Sequence, residues 1–137
     1  MITFKVKPRP NSKEYFYVRI YDNQKAMLLS CYKAFGVRDV YKGITISHRM
    51  ERKYRGRWRK INAIGTIALY KDYVTYGCIA HEMNHASNHY MAVKGKKFIT
   101  DMKDNHWNAY DERIADMTGY MVQQFFRKYK GKISNEY

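Results

Sequence analysis

The sequence is poor in the residues that cross-link or interrupt a folded chain. Its 137 residues include only two cysteines, Cys31 and Cys78, which are far apart and do not have the spacing of metal ligands. A disulfide framework needs more cysteines, so we expect two reduced thiols and a cytoplasmic protein. Only two prolines are present, both in the N-terminal segment, and there is no low-complexity tract. This composition excludes a proline-rich or disordered chain.

Long apolar runs and acidic residues are also scarce. No apolar run approaches the roughly 20 residues of a membrane-spanning helix, and the first residues, MITFKVKPRPNSK, do not contain the apolar core of a secretory signal. We therefore expect no membrane association. The 12 acidic residues are outnumbered by 26 Lys and Arg, for a net charge of +14. This charge favours a nucleic acid or an acidic protein as partner, although a charge that serves only solubility would look the same.

Hydrophobic residues make up 45% of the chain and aromatic residues 16%, which is enough to build a packed core. The length predicts a single domain over residues 1–137. Periodicity and turn residues predict strands at 15–21, 43–50 and 61–70, and helices at 22–36, 74–90 and 111–128. The first helix can be capped by Asp22 or Asn23 and ends at Gly36, with Ala26, Leu29, Tyr32 and Lys33 at helical spacing. The apolar stripes predicted for the other two helices are Ile79, Met83, Ala86 and Tyr90, and Ile114, Met117, Met121 and Phe125. A hairpin turning at Gly56 lies before the third strand, and 91–108 reads as a loop. The fold class is therefore α+β: a small, strand-rich N-terminal half with one helix, followed by two helices.

The segment HEMNH at 81–85 has the strongest chemical signal in the chain. On a helix, His81 and His85 are one turn apart and can each direct a ring nitrogen at one cation about 2 Å away. Glu82 points to one side, where it can reach a water on the same ion and act as a general base. The alternative is a surface helix that carries ordinary polar histidines.

A third zinc ligand is needed if one coordination position is to stay open for water. The segment YDERIADMTGY supplies Glu112 near the start of the last helix, with Asp116 one turn further on the same face. Small residues beside Glu112 would let the two helices pack closely, and Asp116 could then accept a hydrogen bond from the non-ligating nitrogen of a histidine. Taken alone, Glu112 reads as an ordinary acid of a first helical turn and Asp116 as a surface residue.

HExxH followed some 27 residues later by Glu-x-x-x-Asp resembles the gluzincin division of zinc metallopeptidases, and ERIAD resembles a segment of the ImmA/IrrE-like enzymes. The resemblance covers about residues 74–128, and Asn84 stands where ImmA/IrrE-like motifs usually carry glycine. It implies a zincin-like fold, Zn²⁺ held by His81, His85 and Glu112, Glu82 as general base and Asp116 as a supporting residue. It also implies a protein or peptide substrate. In such enzymes the strand before the metal helix binds the substrate along its edge, and the corresponding strand here is 61–70. Because this strand is mostly apolar, it could equally be a central, buried strand.

The other histidines leave alternatives open. His106 could be the third ligand, in a segment HWNAY that vaguely resembles SprT-like DNA-associated proteases, or it could stabilise an oxyanion, as could Tyr110. His89 lies over 10 Å along the helix axis from His81, too far to share an ion, and reads as a surface or supporting group. We expect a structural role for His48.

The segment 49–60, RMERKYRGRWRK, carries seven positive charges and one negative, interleaved with Tyr54 and Trp58. Arginine and aromatic side chains at a hairpin tip suit phosphate contact and base stacking, and a solvated basic hairpin is the alternative. The sequence therefore predicts a zinc metallopeptidase. The rival hypotheses are a zinc-stabilised, basic nucleic-acid-binding module, an SprT-like protease, and an inactive zincin fold used for protein interaction.

Overall fold

A computed structural model describes residues 1–47, 51–100 and 106–135, and for 95–100 and 106–110 it describes the backbone but not the side chains. The fold is α+β, with a strand-rich N-terminal half followed by two long helices, as predicted. The elements are, in chain order, β1 (Ile2–Val6), β2 (Tyr15–Tyr21), α1 (Gln24–Phe35), β3 (Ile44–Ser47), β4 (Glu51–Tyr54), β5 (Arg57–Lys60), β6 (Ala63–Tyr70), α2 (Tyr76–Thr100) and α3 (His106–Lys128). A short 3₁₀ turn, Lys71–Tyr73, joins β6 to α2.

Four strands form one mixed sheet in the order β1-β2-β6-β3. Strand β6 lies between β2, which is parallel to it, and β3, which is antiparallel. It is buried along most of its length, as expected of a strand with neighbours on both sides. Of the two predicted positions for 61–70, the central one is confirmed and the edge position is wrong. The edge strand beside β6 is β3.

The helices cover opposite faces of this sheet. Helices α2 and α3 pack on the face that carries Phe16, Val18 and Ile20, and on this side lies the larger core cluster. The apolar stripes predicted for α2 and α3 are confirmed. Ile114 is partly buried and packs against the core. The other stripe residues are buried: Ile79, Met83, Ala86, Tyr90, Met117, Met121 and Phe125. Helix α1 packs on the other face through Met27 and Cys31.

Helix α1 begins and ends as its sequence predicts. The Asn23 side chain accepts a hydrogen bond from the Ala26 amide (2.8 Å), which satisfies a free donor of the first turn. Gly36 closes the helix with φ of 71°, in the left-handed region. The buried face differs from the predicted spacing, because Met27 and Cys31 face the sheet while Leu29 is half exposed.

The predicted loop over 91–108 is wrong where the structure describes it. Helix α2 continues to Thr100, and α3 begins at His106. The residues after Tyr90 are MAVKGKKFIT, in which Met, Ala and Lys favour helix and the single glycine costs only about 1 kcal/mol. Nothing in this segment stops the helix that the preceding turns have nucleated. In the part of the chain described, no helix is long and apolar enough to cross a membrane.

Candidate metal centre

His81 and His85 lie one turn apart on the side of α2 that solvent reaches. Their Nε2 atoms are 3.1 Å apart, and the two rings are nearly perpendicular, with an interplanar angle of 85°. Two nitrogen atoms at this separation can each lie about 2.05 Å from one zinc ion and subtend an angle of roughly 100° there, close to tetrahedral. The separation of the two nitrogens therefore suits a shared divalent ion. In the metal-free chain, a neutral imidazole of one can donate to the other.

Glu82 completes the only group of three metal-ligating side chains within the described residues. One ligand atom each from His81, Glu82 and His85 lies within 4.8 Å of the others. The two histidines are exposed, whereas Glu82 is only 4% exposed. A carboxylate beside two imidazoles is suited either to binding the same ion or to accepting a proton next to it.

Thr45 of the edge strand β3 holds the Glu82 side chain. Its hydroxyl oxygen lies 2.5 Å from Glu82 Oε2 and 3.1 Å from the Glu82 main-chain oxygen. As a donor, this hydroxyl supplies the hydrogen bond that a buried carboxylate needs. The contact fixes one carboxylate oxygen against the sheet and ties α2 to β3.

Gly43, just before β3, lets the strand approach α2 this closely. A Cβ atom at this position would lie 2.9 Å from Cys78 Sγ, 3.0 Å from Leu69 Cδ2 and 3.2 Å from Glu82 Cγ. All three distances are shorter than ordinary van der Waals contact, so any larger residue would have to move its neighbours. Gly43 therefore sets the spacing that brings Glu82 within reach of Thr45.

Two clefts open on either side of Glu82. The larger, about 610 Å³, is bordered by β3 and by the histidine side of α2, and its lining includes Thr45, Ser47, His81, Glu82 and His85. The smaller, about 330 Å³, is lined in part by Lys42, Gly43, Cys78, His81 and Glu82. Both volumes fall in the range of ligand-binding pockets. The imidazole pair and the carboxylate therefore border space large enough for a small ligand.

His89 lines the larger cleft one turn beyond His85. Burial, together with the nearby His85, lowers the pKa of His89 from its ordinary value, against a smaller opposing effect of Glu82. Helix α2 is continuous from Tyr76 to Thr100. His89 is therefore about 12 Å along the axis from His81. This agrees with the expectation that the two do not share an ion.

Two contacts fix how α2 and α3 lie against each other. The ring of Tyr76 meets that of Phe126 with centroids 5.6 Å apart, and the Ser87 and Thr118 hydroxyls are 2.8 Å apart. The start of α2 is thus beside the end of α3, so the helices are antiparallel. The side chains of α3 that lie level with the histidine pair are those after Thr118.

Glu112 lies away from that level. It precedes Thr118 by six residues, about 9 Å of helix, and His85 precedes Ser87 by two residues, about 3 Å. Because the helices are antiparallel these offsets add, which places Glu112 about 12 Å from His85 along the helix axes. Glu112 is exposed and does not belong to the group formed by the histidines and Glu82. Its role as third ligand stays a prediction that this arrangement does not support.

Asp116 is also separated from the histidines. It is exposed and lines a different pocket, together with Pro8, Met91 and Arg113, where α3 meets the segment after β1. No side chain of that pocket also lines either cleft beside Glu82. The predicted hydrogen bond in which Asp116 accepts from a histidine nitrogen is not among those of the described side chains.

Both cysteines are free, as predicted. Burial raises the pKa of the Cys78 thiol to about 12, with a smaller contribution from Glu82. Burial likewise raises the pKa of Cys31. A thiol must lose its proton to bind a metal ion, so Cys78 is a poor ligand at neutral pH although it borders the smaller cleft.

Three predicted groups lie outside the described part of the structure. They are His48, between β3 and β4, and the side chains of His106 and Tyr110 at the start of α3. Sequence reasoning in turn missed Thr45 and Gly43. Their signal is the alternation in GITIS, where Ile44 and Ile46 pack towards α1 while Gly43 and Thr45, at the alternate positions, face α2.

No known protein family, curated protein or solved structure matches this chain. The chemistry of the site must therefore be inferred from the side chains and their geometry.

Proposed function

We propose that this protein is a zincin-like metallopeptidase in which His81 and His85 hold a zinc ion and Glu82 is the general base. One observation carries the proposal: two imidazole nitrogens 3.1 Å apart share a site with a nearly buried carboxylate, and that site opens into a cleft. A surface helix with unrelated histidines would not need the carboxylate beside them to be buried and held by a neighbouring strand.

Zinc held by the imidazole pair would supply Lewis acidity to a substrate carbonyl and to the attacking water. The remaining chemistry belongs to Glu82. Its carboxylate takes a proton from the water as the new C–O bond forms, and passes that proton to the amine nitrogen as the C–N bond breaks. The Thr45 hydroxyl, 2.5 Å from Oε2, orients the carboxylate so that the other oxygen is free for this transfer.

The position of β3 supports a peptide as substrate. It is an edge strand of the described sheet, and it borders the same cleft as the histidines. An extended peptide can add to such an edge through main-chain hydrogen bonds, which would lay its backbone across the site. In this proposal the substrate-binding strand is β3 and not β6.

Zinc binding is tested by equilibrium dialysis followed by metal analysis of the wild-type chain, His81→Ala, His85→Ala and His89→Ala. We expect about one zinc ion per chain in the wild type and in His89→Ala, because a catalytic site holds one ion between two neighbouring imidazoles. Each of the other two variants should lose most of the metal. Equal zinc content in all four proteins would end the proposal.

Turnover is tested with a peptide library and mass-spectrometric detection of cleaved products. We expect Glu82→Gln to keep its zinc and to lose hydrolysis by a factor of about 10²–10⁴, the usual contribution of a general base. A zinc-loaded wild type that cleaves no peptide, and that unfolds when zinc is removed, would instead favour the zinc-stabilised binding module.

The third ligand is tested in the same metal assay with Glu112→Ala and His106→Ala. Loss of zinc in the first variant would establish the role predicted for Glu112 and require α3 to move along α2. Loss in the second would assign that role to His106, as in the SprT-like alternative. Retention in both would leave solvent to complete the coordination.

A further inference from the structure

Strands β4 and β5 form a two-stranded hairpin that is not part of the main sheet. All ten residues from 51 to 60 are exposed, and none contributes to either core cluster. The turn is made by Arg55 and Gly56, with φ of 49° and 78°, the backbone that tight two-residue hairpin loops prefer. The hairpin is therefore an arm whose two faces are both in water.

The arm carries six positive charges and one negative. Its register pairs Arg52 with Arg59 and Tyr54 with Arg57, so one face presents three arginines around a tyrosine. The Arg59 guanidinium lies 5.4 Å from the Tyr54 ring centroid. The opposite face carries Lys53, Lys60 and Trp58, which is 66% exposed, together with the one acid of the arm, Glu51, opposite Lys60.

This charge arrangement works against the arm's own stability. Like charges directly opposite each other destabilise a strand pair, and a lone two-stranded hairpin is only marginally stable in water. Neither the core nor an acidic cross-strand partner offsets the repulsion between Arg52 and Arg59. A polyanion bound along the arm would offset this repulsion between the arginines.

We propose that the arm formed by residues 51–60 binds double-stranded DNA by insertion into the major groove. The arm is exposed and carries a net positive charge on both faces, and so matches the charge of a groove walled by phosphates on two sides. The major groove of B-form DNA, about 12 Å wide, admits a two-stranded β-ribbon. The deep, narrow major groove of an RNA duplex does not, and a single strand is usually held in a groove of the protein instead.

The inference does not depend on the metal centre. No residue of the arm lines either cleft beside Glu82. A variant of the arm can therefore lose DNA binding and keep hydrolysis at Glu82, and a variant of Glu82 can lose hydrolysis and keep DNA binding.

The test measures the affinity of the full chain for a fluorescent 20-base-pair DNA duplex by anisotropy, over a range of salt concentrations. The variant replaces Arg52, Arg57 and Arg59 with Gln. The matched control replaces Lys13, Lys25 and Lys33 with Gln. These lysines are exposed and lie outside the arm, so both variants lose three positive charges. Circular dichroism checks that both are folded.

We expect the arm variant to bind at least tenfold more weakly than the control at low salt. Its slope of log affinity against log salt concentration should fall by about 2 to 3, since each phosphate contact contributes about 0.9. Equal losses in the two variants would overturn the proposal in favour of non-specific attraction by net charge. Tighter binding of single-stranded DNA, duplex RNA or polyglutamate than of duplex DNA would overturn it as well.

Discussion

The HExxH segment and the basic hairpin both carry charged side chains, and the structure places those charges in opposite surroundings. Glu82 is enclosed by α2 and β3 and held by Thr45, so its geometry is fixed by packing. The charges of residues 51–60 are all exposed, and their geometry is fixed only by cross-strand pairing. A site built for chemistry needs the first kind of support, whereas a surface that adapts to a charged partner can use the second.

The comparison also predicts where the protein tolerates change. Around Glu82, each substitution meets a neighbour that cannot move freely. In the hairpin, a substitution meets solvent, so its effect on folding should be small even where its effect on binding is large.

Removing a core ring should cost far more stability than removing the exposed hairpin ring. Phe125 is fully buried, with ring contacts to Phe4 at 5.4 Å and Tyr129 at 5.3 Å. We expect Phe125→Ala to lower the free energy of unfolding by about 3–5 kcal/mol, and Trp58→Ala to change it by less than about 0.5 kcal/mol. Guanidinium denaturation measures both. A comparable loss in Trp58→Ala would show that the hairpin is part of the core.

The second prediction compares two glycines. At Gly43 an added Cβ meets Cys78 Sγ, Leu69 and the Glu82 side chain, whereas at Gly119 of α3 it meets nothing within 4 Å. We expect Gly43→Ala to destabilise the protein by about 1–3 kcal/mol through overpacking, and Gly119→Ala to be neutral or stabilising by up to about 1 kcal/mol. If the proposed function is correct, only Gly43→Ala should also lower turnover.

Thermal unfolding, with the library assay for turnover, distinguishes the two glycine variants. An unchanged melting temperature in Gly43→Ala would mean that β3 and α2 can separate at no cost. The close approach that positions Glu82 would then not be rigid.

The third prediction concerns the hydroxyl that holds Glu82. Thr45→Val keeps the shape of the side chain but leaves Glu82 Oε2 without its donor, while Thr45→Ser keeps the donor. We expect Thr45→Val to lower the free energy of unfolding by about 1–2 kcal/mol, as is usual when a buried polar group loses its partner. Thr45→Ser should lose less. Denaturation at neutral pH compares the two, and a reversed order would mean that the hydroxyl is not the support of the carboxylate.

The structural features that depend on residues close in sequence were predicted correctly. The Asn23 cap, the Gly36 end, the hairpin turn at Gly56 and the buried stripes of α2 and α3 all depend on residues within a few positions of one another. The end of α2 was missed because composition suggested a loop where propensity continued the helix. Strand β1 was missed although its stretch, ITFKV, alternates apolar and polar residues, which is the pattern of a half-buried strand.

The candidate site divides in the same way. The imidazole pair and Glu82 are set by spacing on one helix, and the sequence predicts them as a group. The distance from that pair to Glu112 depends instead on how far α3 is shifted along α2, which the Ser87–Thr118 and Tyr76–Phe126 contacts determine. No periodicity encodes that shift. The support from Thr45 likewise depends on which strand of the sheet lies beside α2.

The last prediction has the smallest effect on folding and separates folding from binding within the hairpin itself. Arg52 and Arg59 are directly opposed across β4 and β5. Arg52→Glu turns this repulsive pair into an attractive one, which should stabilise the hairpin by about 0.2–1 kcal/mol. The same change removes a phosphate contact and adds a negative charge, so affinity for duplex DNA should fall. Arg52→Gln is the matched control, because it relieves the repulsion without creating the new attraction.

Hydrogen exchange of the hairpin amides measures the stability, and anisotropy measures the affinity. If Arg52→Glu shows greater amide protection and unchanged DNA binding, Arg52 has no contact with DNA. If Arg52→Glu shows less amide protection, β4 and β5 are not paired in this register.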